Sequence, residues 1–241
     1  MNHEEAIIQM LKNLDSWRHL PKYQLERRAD LFFGLFIKKI LASSNCLIED
    51  ELFEPIPEFP FRYDKNNPEN PKTFHTVNFD YVLFTKEKKQ NKVNSFIVEL
   101  KTDLSSAGER NNSYLTKAKD TEFSEIVNNI LIVAKESKSP EKYRCLLAKM
   151  SENKIIRGKQ DTWEEEPHLG KPKIIYLAPF DEANPSDNKK IAALRKKGFM
   201  VIGFKEIADI IDDKQDNSFQ HLFARCLREW NDVKAGSVCH G

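Results

Sequence analysis

The chain has 241 residues, of which 40% are hydrophobic and 31% charged, and its net charge is +1. That balance describes a globular protein; it excludes a disordered chain, which is poorer in apolar residues and carries more net charge. It also excludes a global basic field that would announce a polyanion partner, although a sum near zero leaves room for a local basic patch.

No apolar run approaches the length of a membrane span. The start, "MNHEEAIIQMLKNL", carries early acidic residues and no uninterrupted apolar core, so no secretion signal is read there. Cys46, Cys145, Cys226 and Cys239 are scattered without a CxxC pair, and the six histidines are equally dispersed. Reduced thiols, no zinc or disulfide framework, no membrane association and a cytoplasmic location are the expectations.

In chain order, a short amphipathic helix is predicted at about 4–14, with Pro21 as punctuation. The stretch "YQLERRADLFFGLFIKKILASS" repeats apolar residues at helical spacing: Leu25, Ala29, Phe32, Phe33, Phe36, Ile37, Ile40 and Leu41. "FEPIPEFPFRY" then alternates Phe59, Phe61 and Tyr63, and its prolines predict an edge or irregular strand. "DKNNPENPK" is a loop by composition. "TVNFDYVLF" alternates again, with Val77, Phe79, Tyr81 and Leu83 on one face and Asn78, Asp80, Val82 and Phe84 on the other. "KEKKQNK" reads as a polar turn and "VNSFIVELK" as the next strand.

Helical spacing returns over 113–135, through Leu115, Ala118, Ile126, Val127, Ile130, Leu131 and Ala134. Ser139 and Pro140 break it, and "EKYRCLLAKM" resumes a short helix. "SENKIIRGKQDTWEEEPHLGK" is a long loop or small hairpin, and "KIIYLAPF" is a short, fully apolar strand. "DNKKIAALRKKG" is a helix closed by Gly198, "FMVIGF" is a strand, and 218–233 is helical. No linker separates domains, so a single α/β domain over 1–241 is expected.

The stretch "FIVELKTD" places Glu99 and Lys101 on one strand face with Ile97, while Phe96, Val98 and Leu100 take the other. If the preceding turn is centred between Lys89 and Gln90, Phe84 faces Ser95, Val82 faces Ile97, Asp80 faces Glu99 and Asn78 faces Lys101. Two carboxylates directly opposite each other repel unless something binds between them. Mg²⁺ suits that place, since it takes hard oxygen ligands, often one or two carboxylates together with substrate phosphates. A slip of one residue would turn Asp80 to the other face and remove the argument.

Asp80, followed by "ELK" at 99–101 at the end of an apolar strand, after one helix and before another, resembles the PD-(D/E)XK nuclease superfamily. The resemblance covers about two thirds of the chain and rests on few letters placed on consecutive strands. It implies a restriction endonuclease-like α/β core, α-β-β-β-α-β, over about 23–179, with a mixed sheet flanked by helices. The helix at 4–14 and a C-terminal extension of helices and a strand at 187–235 would be additions.

By the same resemblance, Asp80 matches the metal-binding aspartate, Glu99 the second acidic ligand and Lys101 the lysine. The backbone carbonyl of Leu100 stands where the family often supplies another metal oxygen, and Glu26 matches an acidic residue that many members add from the first long helix. The proline often found before the aspartate is Phe79 here. The implied activity is Mg²⁺-dependent hydrolysis of a nucleic-acid phosphodiester, DNA being the expected substrate, with Mn²⁺ able to substitute; restriction or another defence system is the implied context. Lys101 would orient or deprotonate the attacking water, or neutralise the transition state. On the following helix, Tyr114 and Lys117 lie one turn apart and are candidate substrate contacts.

Blander readings stand beside these. The three charged residues alone could form a salt-bridge ladder on a solvated sheet face, Glu26 could pair with a neighbouring basic side chain, and Tyr114 could simply pack. Asp103 reads as a strand terminator, His75 as a loop histidine, and "KEKKQNK" and "RKK" at 195–197 as solvated surface. The alternative function is a catalytically inactive nuclease-fold module that binds nucleic acid or a protein partner, and the sequence leaves a homodimer open.

Overall fold

The computed structural model describes residues 3–18, 20, 24–44, 50–63, 75–87, 92–104, 112–137, 139–158, 164–165, 169–215 and 218–232. Two helices, α1 (His3–Trp17) and α2 (Leu25–Ser43), precede four strands: β1 (Asp50–Leu52), β2 (Ile56–Tyr63), β3 (His75–Glu87) and β4 (Lys92–Leu100). Three helices follow, α3 (Ser113–Asp120), α4 (Phe123–Glu136) and α5 (Pro140–Glu152), then the short strands β5 (Ile156–Arg157) and β6 (Glu164–Glu165). The order closes with β7 (Lys173–Ala178), α6 (Pro185–Lys196), β8 (Met200–Gly203), α7 (Phe204–Ile211) and α8 (Phe219–Asp232).

The chain is an α/β protein with a mixed sheet flanked by helices. Its strands run in the order β1-β3-β4-β7-β8, with β2 also on β3, while β5 and β6 pair with each other. By compactness the chain divides into two units. The first comprises Met1–Ile48, Leu100–Gly108 and Tyr176–Gly241; the second comprises Glu49–Glu99 and Glu109–Ile175.

In the second unit the long strand β3 organises the fold. β2 pairs antiparallel with its first half, Phe59 opposite Phe79 and Phe61 opposite Val77, and β1 with its last three residues. β2 carries Pro57 and Pro60 and, among the described residues, pairs with β3 alone, the edge position that a missing N–H tolerates. β4 pairs with β3 in the register that the turn argument predicts: Phe84 opposite Ser95 and Val82 opposite Ile97. Tyr81 to Thr85 and Ser95 to Leu100 are buried continuously, so both faces of the sheet are covered there. Towards the start of β3 the Asp80 face opens: Val82 is fully buried, Asp80 half-buried and Asn78 exposed.

The helical run predicted over 113–135 is two helices. Thr121 and Glu122 adopt extended backbone (ψ 136° and 137°), and α4 starts afresh at Phe123. The break lets Phe123 reach the core, where its ring packs on Phe59 at 5.9 Å and edge-on to Phe84 at 5.2 Å. Its N–H donates to the Gly170 carbonyl at 3.2 Å.

In the first unit α2 buries Ala29, Phe33, Phe36, Ile37, Ile40 and Leu41, as its spacing predicts. Those rings meet α7 and α8: Phe33 lies 5.4 Å from Phe204 and 5.5 Å from Phe223, and Phe36 stacks on Phe219 and Phe223. α1 is tied to α8 where Trp230 Nε1 donates to Asp15 Oδ1 at 2.6 Å. α6 ends, as predicted, just before Gly198, whose φ of 77° lies in the left-handed region that glycine enters without steric cost. The strand predicted at 199–204 is shorter than expected: β8 stops at Gly203, and Phe204 opens α7.

Candidate active site

Asp80 and Glu99 belong to the second unit, on the neighbouring strands β3 and β4. The ladder between these strands ends at Tyr81 opposite Val98. One further residue along each strand brings Asp80 and Glu99, so the two acids stand just past the last pair, on the side where the Asp80 face opens. They differ in solvation, Glu99 being only 2% exposed and Asp80 half-buried. A carboxylate so enclosed is costly to keep charged without hydrogen bonds or a cation, which is why buried acids are informative.

One partner of Glu99 is Tyr114, in the first turn of α3, whose hydroxyl donates to Glu99 Oε1. The Tyr114 ring stacks on Phe79 at 6.1 Å and 25°, and Phe79 in turn stacks on Phe61 at 5.1 Å and 25°. Phe79 is the residue immediately before Asp80. Tyr114, read from sequence as a substrate contact, therefore has its hydroxyl directed at the second acidic residue. Lys117, its companion on α3, is exposed.

Glu26, Leu100 and Lys101 belong to the first unit. Glu26 lies in the first turn of α2, where an acidic residue complements the helix dipole. Its Oε1 accepts from Lys101 Nζ at 3.0 Å, and the same ammonium donates to the Leu100 carbonyl at 3.0 Å. The Lys101 side chain is 13% exposed and that of Glu26 36%. The Lys101 N–H donates to the Leu177 carbonyl of β7 at 2.8 Å, so the residue's backbone is fixed although β4 has ended. Glu26 thus pairs with the lysine of the motif, 75 residues along the chain, and not with a neighbouring basic side chain of its own helix.

Among the described residues, no group of three or more His, Cys, Asp and Glu side chains is placed to hold a metal ion. Within the second unit, Asp80 and Glu99 offer carboxylate oxygens. All are hard oxygens, the chemistry that Mg²⁺ and Mn²⁺ accept, and Mg²⁺ is commonly held by only one or two carboxylates with water and phosphate filling the rest.

Sequence reasoning passed over Glu58. It is exposed and has a φ of 50°, an uncommon conformation for a side-chain-bearing residue, and its Oε2 accepts from Asn78 Nδ2 at 2.9 Å. Its neighbours pair Pro57 with Tyr81 and Phe59 with Phe79, which sets Glu58 across from Asp80. The prolines flanking it were the only sequence signal.

Of the residues given bland readings, Asp103 is exposed just past β4, and Arg195 and Lys196 are exposed at the end of α6. His75 opens β3 opposite Tyr63. Residues 88–91 of the "KEKKQNK" turn, as well as Cys46 and Cys239, lie outside the described residues; Cys145 and Cys226, which are described, are free thiols. Comparison of the chain with protein-family models, with curated proteins and with solved structures finds no match.

Proposed function

We propose that the protein is a metal-dependent nuclease of the PD-(D/E)XK type, acting on DNA. The observation that carries this reading is the β3–β4 register, which puts Asp80 across from Glu99 at the end of the ladder, with Lys101 two residues further along the chain. The strand order adds support: three consecutive strands, β2, β3 and β4, are hydrogen-bonded neighbours, and β7 joins β4 after the intervening helices. That order is compatible with the α-β-β-β-α-β core that the resemblance implies, with β1 and further helices in addition.

Asp80 and Glu99 would hold Mg²⁺ or Mn²⁺ through carboxylate oxygens; the Leu100 carbonyl is a further oxygen only by the resemblance. The ion, when bound, supplies Lewis-acid stabilisation of the negative charge that grows on the phosphate. By the resemblance, the role of Lys101 would be to offset charge in the transition state or, as an amine, to take a proton from the attacking water. Glu26 holds the Lys101 ammonium and so sets where it lies. The water oxygen would form a new bond to phosphorus as the bond to the leaving oxygen breaks, its proton passing to a base or to solvent and the leaving oxygen taking a proton from solvent. Lys117, exposed on α3, is proposed to contact the substrate backbone.

A second reading has its own support. Lys101 is occupied by Glu26 and the Leu100 carbonyl, the arrangement of a structural ion pair, and this fits a nuclease-fold module that binds nucleic acid without cutting it. Incubation with plasmid, linear duplex, single-stranded DNA and RNA in Mn²⁺ separates the two. The nuclease reading expects cleavage by the wild type that falls about 100-fold or more in Asp80→Asn and Lys101→Ala. Binding without cleavage selects the inactive module, and cleavage unaffected by either substitution rejects the site.

A further inference from the structure

We infer that Tyr114 is a positioning residue for Glu99 and not a contact for the substrate; the inference rests on the nuclease reading of Asp80 and Glu99. Three observations within the second unit carry it. The Tyr114 hydroxyl donates to Glu99 Oε1, so its hydrogen is spent on a protein carboxylate. The ring is half-buried and stacked on Phe79, and Phe79 is stacked on Phe61, which gives the phenol a rigid seat of two buried aromatic side chains. Glu99 itself is 2% exposed, so a hydrogen bond fixed at one oxygen decides where the other can point.

A carboxylate on a flexible C–C bond can rotate about its last torsion, which is broad and roughly two-fold. A donor clamped to one oxygen selects one orientation, and outer hydrogen bonds of this kind commonly tune the affinity of metal-ligating groups. The seat begins one residue before the other acid, because Phe79 precedes Asp80. Packing of a single aromatic row thus bears on both acidic residues, through the backbone at Asp80 and through the hydroxyl at Glu99.

The test is Mn²⁺ titration calorimetry on the wild type, Tyr114→Phe and Glu99→Gln, with duplex DNA binding measured in EDTA alongside. Tyr114→Phe keeps the ring and its stacking and removes only the donor. We expect its Mn²⁺ affinity to fall about tenfold while DNA binding in EDTA is unchanged. Phe79→Leu leaves the hydroxyl but loosens its seat, and should lose Mn²⁺ affinity by a smaller factor, which covers the case of a Tyr114→Phe protein that folds poorly. Tyr114→Phe binding Mn²⁺ as the wild type does, or losing affinity for DNA instead, overturns the inference while leaving the nuclease reading standing. A wild type that shows no Glu99-dependent Mn²⁺ binding overturns the nuclease reading and this inference with it.

Discussion

Asp212, at the end of α7, shows how one side chain can tie two helices. Its Oδ1 accepts from the Lys214 N–H at 2.9 Å and meets His221 Nδ1 at 3.0 Å, while its Oδ2 accepts from Arg228 Nη1 at 2.9 Å. Arg228 also reaches Asp209 at 2.9 Å, so α7 and α8 share one charged network. The Lys214 hydrogen bond, followed by those of His221 and Arg228, outweighs burial and lowers the Asp212 carboxyl from 3.8 to about 2. A depressed folded value gives stability that is complete above pH 3.8 and lost as the pH falls towards 2. Asp212→Ala should therefore cost about 1–2 kcal/mol at pH 7, discounted for the partial exposure of Arg228, and that cost should shrink towards zero near pH 2. Urea denaturation at the two pH values measures it. By contrast, burial pushes the Cys226 thiol up to about 12, which leaves little thiolate for chemistry.

At the scale of elements, the distinction between legible and hidden features is physical. The β3–β4 register could be read because a polar turn and two alternating strands fix it, and a one-residue slip would bury Asp80's face the wrong way. The division between α3 and α4 was written in the sequence as a phase shift: Ala118 and Phe123 are five residues apart, where an unbroken helical face needs three or four. α7 was also legible, since Phe204, Ile207, Ala208 and Ile211 keep helical spacing and are all buried. Reading Phe204 into the preceding strand concealed it. β1 was not legible, because three residues carry no period.

Gly203, where β8 becomes α7, has ordinary backbone (φ −80°), so its role is space. A Cβ there would stand 2.9 Å from Phe180 Cε1 and 3.0 Å from its Cζ. Gly203→Ala must displace that ring, and a loss of about 1–3 kcal/mol is expected in denaturant unfolding. A stability equal to that of the wild type would show that the ring shifts freely.

For the whole molecule, composition excluded more than it identified. A net charge of +1 conceals any local field, and no helix among the described residues is long and apolar enough to cross a membrane. The candidate site was legible only as a pattern of types and strands. Asp80, Glu99 and Lys101 could be picked out by their places on consecutive elements, and the Lys101–Glu26 pair appeared in sequence as two separate possibilities. The Tyr114–Glu99 hydrogen bond could not be read, since a contact between a strand end and a helix beyond the intervening residues leaves no local period. Charges of both signs around a strand end are common in proteins, so the proposed function depends on whether the two acids bind one ion.

Isothermal titration with Mn²⁺ addresses that most directly, applied to the wild type, Asp80→Asn and Glu99→Gln. The predicted result is saturable binding by the wild type, lost or weakened at least about tenfold in each single variant, with melting temperatures close to that of the wild type. Binding that survives both substitutions, or that never appears in the folded wild type, would contradict a shared ion between Asp80 and Glu99.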